Sequence, residues 1–395
     1  MLQYEIEKRY NLCTCCLNRQ LAQVTNRTGR LYNKKANLLK SGNPNSCYIC
    51  QGLMSQVDST VKKICSAIEA EEYDFDSFVL GASLPSAMFE REDSIRARFK
   101  IRGKENIRKQ FVDELGKKIE KIAGKRLERI TPDLAINIVI DNQNTGDTKN
   151  SNDYGSTLQQ TITLKTSPIF LSGRYVKTAR GLSQKKERCQ KCLGRGCSLC
   201  SYTGASQFES IEAILARRLT EITGGDTTKF SWLGGEDKDS LILGKGRPFA
   251  VRISNPKVRR LKKDLIIEEN GLCAVIKQQS PKRSFPLPSH FTTKTKITIH
   301  AEGQLSYKEL AALTNILENS EVSFRAKSKI LKKKIYSVQV EQIDEKKFIL
   351  TVTADGGLFI KQFVGGQQYS EPNISKITGI NCECVVFDIL EVNAQ

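Results

Sequence analysis

The sequence predicts a two-domain α+β protein whose second domain carries a large, mostly antiparallel sheet. Three observations lead there. The chain has 395 residues, more than one ordinary domain needs and enough for two that each bury a core. Apolar residues recur at three-to-four spacing in a few segments, as helices require, and alternate in many others, as half-buried strands require. A pair of strand-like runs ends near residue 165, which places the domains at 1–165 and 166–395.

In chain order, the residues up to about 60 hold two Cys pairs around a basic, polar stretch, and Ser59 to Glu71 then reads as a helix ahead of the apolar FDSFVLGA. RARFKI, Arg96 to Ile101, alternates like a strand. A basic helix follows over Glu105 to Ala123, with Ile107, Phe111, Leu115, Ile119 and Ile122 on its apolar face. DLAINIVID, Asp133 to Asp141, is a strand. Asn142 to Thr157 is rich in Asn, Gly, Ser and Asp and reads as a long mobile loop, and Leu158 to Leu164 resumes as a strand.

Past the boundary come SPIFLSGRY, a Cys cluster and a helix over Ser210 to Thr223. Strands follow at Phe249 to Ile253, Leu265 to Glu268, Leu272 to Ile276, Lys296 to His300, Ile335 to Val340, Phe348 to Ala354 and Cys384 to Leu390. Helices at Ser306 to Asn319 and Leu358 to Val364 interrupt them, the pattern of a second α+β domain.

Lys and Arg total 62 against 43 Asp and Glu, a formal charge of +19, so the surface carries a positive field that draws polyanions. No apolar run reaches the roughly 18 residues a membrane helix needs, and MLQYEIEKRY has no apolar signal-peptide core. A soluble, cytoplasmic protein without a membrane partner is expected, and nothing demands more than a monomer. The two His, His290 and His300, read as structural, which argues against His-based catalytic triads or metal sites.

Of thirteen Cys, eight form Cys-x-x-Cys pairs, which suits metal ligation in a reducing compartment. Cys13, Cys16, Cys47 and Cys50 make two knuckles thirty residues apart, the pattern of a closed tetrahedral zinc site that staples rather than catalyses. Cys15 could replace a member of the first pair, but only Cys13 with Cys16 has the two-residue gap. Cys189, Cys192, Cys197 and Cys200 form a tighter second set, for which structural zinc is expected and an iron–sulfur cluster is the rival. The other five Cys read as small buried apolar residues.

SWLGGEDKDSLILGKGRPF, Ser231 to Phe249, places Glu236, Asp237 and Asp239 beside Gly234 and Gly235. Such acids can form a general acid or base, a metal site or a solvated turn, and the residues alone favour the solvated turn. Tyr336 in KKKIYSVQV and Lys361 in GGLFIKQFVGG add a phenol and an amine from separate segments.

Five segments then fall into one order: LCTCCLNRQLA; SGRYVKTARGLSQ with CQKCLGRGCSLCSYTG; the acidic turn ahead of LGKGRPFAVRISNP; KKKIYSVQVEQID; and GGLFIKQFVGG with EPNISKITG. Over most of the chain they resemble the Pus ten family of tRNA pseudouridine synthases of archaea and eukaryotes. The resemblance implies an N-terminal, THUMP-related RNA-binding domain followed by the pseudouridine synthase catalytic fold, acting on the T-arm loop of tRNA at positions 54 and 55. It places the family's nucleophilic Asp on Asp237, its stacking Tyr on Tyr336 and the basic partner of the Asp on Lys361.

The chemistry suits those roles. A carboxylate attacks only when ionised, and a neighbouring ammonium favours that form. A detached uracil must be gripped while it turns, which an aromatic face can do, and no organic cofactor is required. Arg247, with Lys117, Lys118 and Lys121 of the basic helix and Lys125 just past its end, are the further RNA contacts expected. The chain departs from the family at Gly235 and Leu241, where Arg is usual, and around Gln367 to Ser370. A catalytically impaired tRNA-binding or RNA-folding protein is therefore the alternative. A THUMP-linked methyltransferase would need a Gly-rich loop after a strand with an acid downstream, and the sequence has none.

Overall fold

The computed structural model describes residues 2–21, 44–102, 105–142, 158–200, 202, 205, 209–278, 287–326, 329–366 and 370–394. The chain divides into two units, Met1–Ser167 and Pro168–Gln395. The polar tract read as a loop falls, from residue 143 to 157, outside the described residues, as do residues 367–369.

The first unit opens with helices α1 (Leu2–Arg9) and α2 (Thr14–Leu21), then α3 (Val57–Ala70), strand β1 (Ser77–Ser83), α4 (Ser86–Phe99), α5 (Ile107–Ala123), β2 (Arg126–Leu127), β3 (Leu134–Asn142) and β4 (Leu158–Thr166). Its sheet runs β2-β1-β3-β4, parallel across β1 and antiparallel between β3 and β4. α5 begins where the Asn106 side chain accepts the Lys109 amide at 2.9 Å and ends on left-handed Gly124. Ile107, Phe111, Leu115 and Ile119 are fully buried, while Ile122, one step past the apolar stripe, is 64% exposed.

The strand expected at Arg96–Ile101 is instead the end of α4. Six alternating residues cannot outweigh the longer helical spacing of Met88, Glu92 and Ile95, all buried. Glu92 also receives Arg96 one turn on, at 3.2 Å, and Arg19 of α2 at 2.6 Å.

The second unit contains β5 (Ile169–Lys177), α6 (Ile211–Thr223), β6 (Thr227–Trp232), β7 (Ile242–Ser254), β8 (Leu265–Glu269), β9 (Leu272–Gln278), β10 (Phe291–Ala301), α7 (Tyr307–Leu317), β11 (Glu321–Ala326), β12 (Lys329–Gln342), β13 (Lys347–Asp355), α8 (Ile360–Gly365), α9 (Ile374–Thr378) and β14 (Cys382–Ala394). The strands form one ten-stranded sheet, β11-β12-β13-β10-β14-β7-β5-β9-β8, with β6 also on β7. Among the described residues every pairing of these strands is antiparallel except β14 with β7.

That exception positions the site. β14 meets β7 at a single register position, Ile389↔Ile242, whereas β6 pairs with the far half of β7, from Trp232↔Phe249 to Thr227↔Ser254. The sheet divides there, and the connection from β6 to β7, residues 233–241, lies at the division. Two hydrophobic cores flank it. One, under β10, β12 and β13, includes Ile297, Leu313, Phe348 and Phe363; the other, under β5, β7 and β9, includes Leu171, Ile214, Phe249 and Ile276. Phe387 of β14 packs against both.

Candidate active site

The acidic turn presents Asp237 with 27% of its side chain exposed, and Lys361 Nζ donates to Asp237 Oδ2 at 2.5 Å. These residues are 124 positions apart in sequence. Lys361 opens α8, just beyond the end of β13. Its hydrogen bond holds the Asp237 carboxyl below the usual Asp range against the opposing effect of partial burial, with help from the Asp239 and Lys238 amides. The same bond raises the Lys361 ammonium. The geometry therefore keeps an accessible carboxylate ionised.

Beneath the turn lies a buried charge cluster. Glu236 Oε2 accepts from Arg247 Nε at 3.0 Å and from the Tyr175 hydroxyl at 2.7 Å, and Glu236 Oε1 stands 3.5 Å from Lys177 Nζ. Gln184 Nε2 donates to the Tyr175 oxygen at 2.9 Å. Burial costs each ion several kcal/mol, which mutual pairing offsets. Burial pushes the Lys177 ammonium down and the Tyr175 phenol well up. Arg247, expected at the RNA, is 1% exposed and spends its guanidinium on Glu236 and on the Leu233 and Gly235 carbonyls. Lys177 and Tyr175 were not singled out from sequence. The signal was there: they share the inward parity of Ile169 and Leu171, and a Lys at an inward strand position demands a partner.

Tyr336 occupies a β-bulge in β12, between Ile335↔Ala354 and Ser337↔Thr353. The extra residue re-aims its side chain, leaving the ring 38% exposed while Ile335 stays in the core. Its hydroxyl donates to Asp355 Oδ1 at 2.9 Å, which raises its pKa, and Lys334 Nζ stands 5.4 Å from the ring centre. Asp355 leads through Gly356 and Gly357 into α8, so Tyr336 is tied to the connection that presents Lys361. Phe291 links this connection to the acidic turn. A Cβ at Gly356 would come within 2.1 Å of the Phe291 ring and one at Gly234 within 3.0 Å, so both backbones approach that ring as only glycine can.

A polar cavity of about 440 Å³ opens beside Lys361, lined also by His300, Glu302, Asn381, Glu383 and Cys384. His300, expected to be structural, is exposed in its wall. Burial pushes the Cys384 thiol up to about 11.

Each Cys set brings its four Sγ atoms within 4.8 Å of one another. Cys13 and Cys50 sulfurs are 3.7 Å apart, as are Cys192 with Cys200 and Cys197 with Cys200, while Cys189 with Cys197 are 3.9 Å apart. A tetrahedron with metal–sulfur bonds of about 2.3 Å has edges of about 3.8 Å, so both sets fit one thiolate-bound ion. Backbone amides point at the sulfurs, Cys13 N to Cys47 at 3.3 Å and Cys197 N to Cys200 at 3.2 Å, as thiolate acceptors would require. An iron–sulfur cluster places its own irons and sulfides between the cysteines and spreads them further. Cys15 lies outside the first tetrad.

On α5, Lys117 and Lys121 are exposed. Lys118 is paired with Asp58, and Lys125 lies 4.0 Å from Asp76 and 5.4 Å from the Phe75 ring centre.

A tRNA pseudouridine synthase Pus10 of Nitrosopumilus maritimus is 32% identical to this chain over 99% of its length and 97% of the relative's. The chain belongs to the Pus10 family. Pus10 proteins of Cenarchaeum symbiosum and Methanocaldococcus jannaschii, also named tRNA pseudouridine synthases, are each 29% identical, covering 98% and 100% of this chain and 91% and 94% of theirs. The family model described as Pus10, C-terminal, matches residues 170–280 and 319–393, and that of the archaeal Pus10 THUMP domain matches 61–141. Asp237, Tyr336 and Lys361 all fall inside the Pus10 C-terminal matches. The α+β fold thus joins a region that matches the archaeal Pus10 THUMP model to one that matches the Pus10 C-terminal model.

Proposed function

We propose that this chain is a cytoplasmic, monomeric tRNA pseudouridine synthase acting on T-arm loop uridine at position 54, position 55 or both, with Asp237 as nucleophile. The observation that carries the reading is the contact between Asp237 and Lys361, which keeps a partly exposed carboxylate ionised in a turn at the division of the sheet. In the reaction the N1–C1′ bond breaks, the uracil turns within the site, a C5–C1′ bond forms, and the proton lost from C5 is balanced by one gained at N1. The product is an isomer, so atoms and electrons balance without a co-reactant. The half-exposed ring of Tyr336 offers the base a stacking face, and its hydroxyl, held by Asp355, keeps that face oriented. The target base must leave its stack at a cost of a few kcal/mol, which phosphate contacts from a basic surface offset.

We assign residues 1–165 as the RNA-binding accessory domain and 166–395 as the catalytic domain. Zinc is the ion that best suits both Cys sets, as closed thiolate sites with a structural role. Asp237→Ala should lower pseudouridine formation on an unmodified tRNA transcript by at least about a thousandfold while tRNA affinity stays unchanged. Activity surviving that change would remove the nucleophile assignment. A second reading, a tRNA-binding protein with impaired chemistry, is favoured by Gly235 standing where the resemblance implies Arg. Tight tRNA binding without product at high protein concentration would select it.

A further inference from the structure

Charges are rarely placed inside a sheet core, yet the side chains of Lys177 and Glu236 have no exposure and that of Arg247 has 1%. Most of the bonds of the two cations go to the backbone of the acidic turn. Lys177 Nζ donates to the carbonyls of Leu182 at 2.9 Å and of Asp237 and Lys238 at 3.1 Å. Arg247 donates from Nη1 to the Leu233 carbonyl at 2.6 Å and from Nη2 to that of Gly235 at 3.1 Å. The two cations thus hold carbonyls before and after the Asp237 side chain. Glu236, immediately preceding it, neutralises one of the two charges.

We propose that Lys177, with Glu236 and Arg247, is a positioning cluster: it fixes the backbone of residues 233–238 so that the Asp237 carboxylate stands against Lys361. A turn entered through Gly234 and Gly235 has wide backbone freedom, and a reacting group displaced by about 1 Å loses much of its rate. The sheet core removes that freedom by gripping the turn from below, while the RNA-facing side stays open. The catalytic meaning of the cluster rests on the reading of Asp237 as nucleophile. The titratable groups that act on the Asp237 carboxyl are Lys361 of α8, Lys177 of β5 and Cys384 of β14, while Lys238 and Asp239 of the turn reach it through their backbone amides.

Lys177→Met tests this with a side chain of similar length, leaving Glu236 and Arg247 as a neutral pair. Two measurements on the full chain are needed. Carboxyl NMR of Asp-labelled protein, with the Asp237 signal identified by its loss in Asp237→Asn, should show the Asp237 titration midpoint higher in the variant, because a cation has gone. On a tRNA transcript, kcat should fall about 10- to 100-fold with KM unchanged. A folded variant with an unmoved midpoint overturns the proposal, as does one with raised KM and intact kcat, which would make Lys177 an RNA contact. If Lys177→Met does not fold, Lys177→Arg keeps the charge but its planar head cannot keep all three carbonyl bonds. It should lower kcat while moving the midpoint less than Lys177→Met does, and a wild-type kcat would overturn the proposal. Wild-type protein that makes no pseudouridine while the midpoint still moves in Lys177→Met would refute the proposed function and leave the cluster standing.

Discussion

Asp237 and Lys361 illustrate how one contact sets the behaviour of a residue. Asp237 titrates below the ordinary Asp value of about 4, so whatever the pair contributes is fully present above that value and lost as pH falls through the lower folded-state value. Lys361 is two-thirds exposed and Asp237 partly so, and solvent screening keeps the contribution to stability small, so the consequence is read in activity. In Lys361→Met the acid limb of kcat should move to higher pH and kcat at neutral pH should fall at least about tenfold, checked by a pH–rate profile under single-turnover conditions. Gly235 gives a prediction of the opposite sign. A Cβ there would meet nothing within 4 Å, so Gly235→Arg should fold with an unchanged melting temperature. If the new guanidinium reaches phosphate, the salt slope of tRNA binding should steepen by about 0.7 to 0.9, and an unchanged slope would leave it in solvent.

At the scale of elements, α5 shows why a basic helix cannot be read as one surface. The candidate cations Lys117, Lys118 and Lys121 of α5 and Lys125 just beyond it looked equivalent in sequence, but Lys118 and Lys125 have acidic partners from neighbouring segments. Lys117→Gln with Lys121→Gln should flatten the salt dependence of tRNA binding, whereas Lys118→Gln with Lys125→Gln should change it less, since those ammonium groups are already partly compensated. Filter binding across a salt series compares the two pairs directly. Strand β12 makes a related point. Its alternation was legible, but the bulge that turns Tyr336 outward was not, because a bulge depends on the partner strand as much as on its own residues.

For the whole molecule, two Cys tetrads are each spaced to hold one ion, the first of them inside the buried core beside Ile6, Leu12, Leu17 and Ile49. Metal analysis should find about two zinc per chain, with Cys47→Ser and Cys189→Ser each removing one and the former also lowering thermal stability, since structural zinc contributes on the order of 10 kcal/mol to a small module. The Cys spacing, the 3.6-residue stripe of α5, the alternating strands of the second unit and the ordered segments resembling Pus10 were all determined by sequence, because each is a local pattern or a matched string. Local patterns also misled at Arg96–Ile101, where a short alternation sat inside a longer helical spacing, and at Ile122, which the apolar stripe included but the fold leaves exposed. Tertiary structure alone decided that Arg247 is buried, that Lys177 and Tyr175 support the acidic turn, and that Asp237 meets Lys361 across 124 residues. Those facts depend on where the sheet divides between β14 and β7, and strand order is a property of long-range pairing that no window of sequence contains.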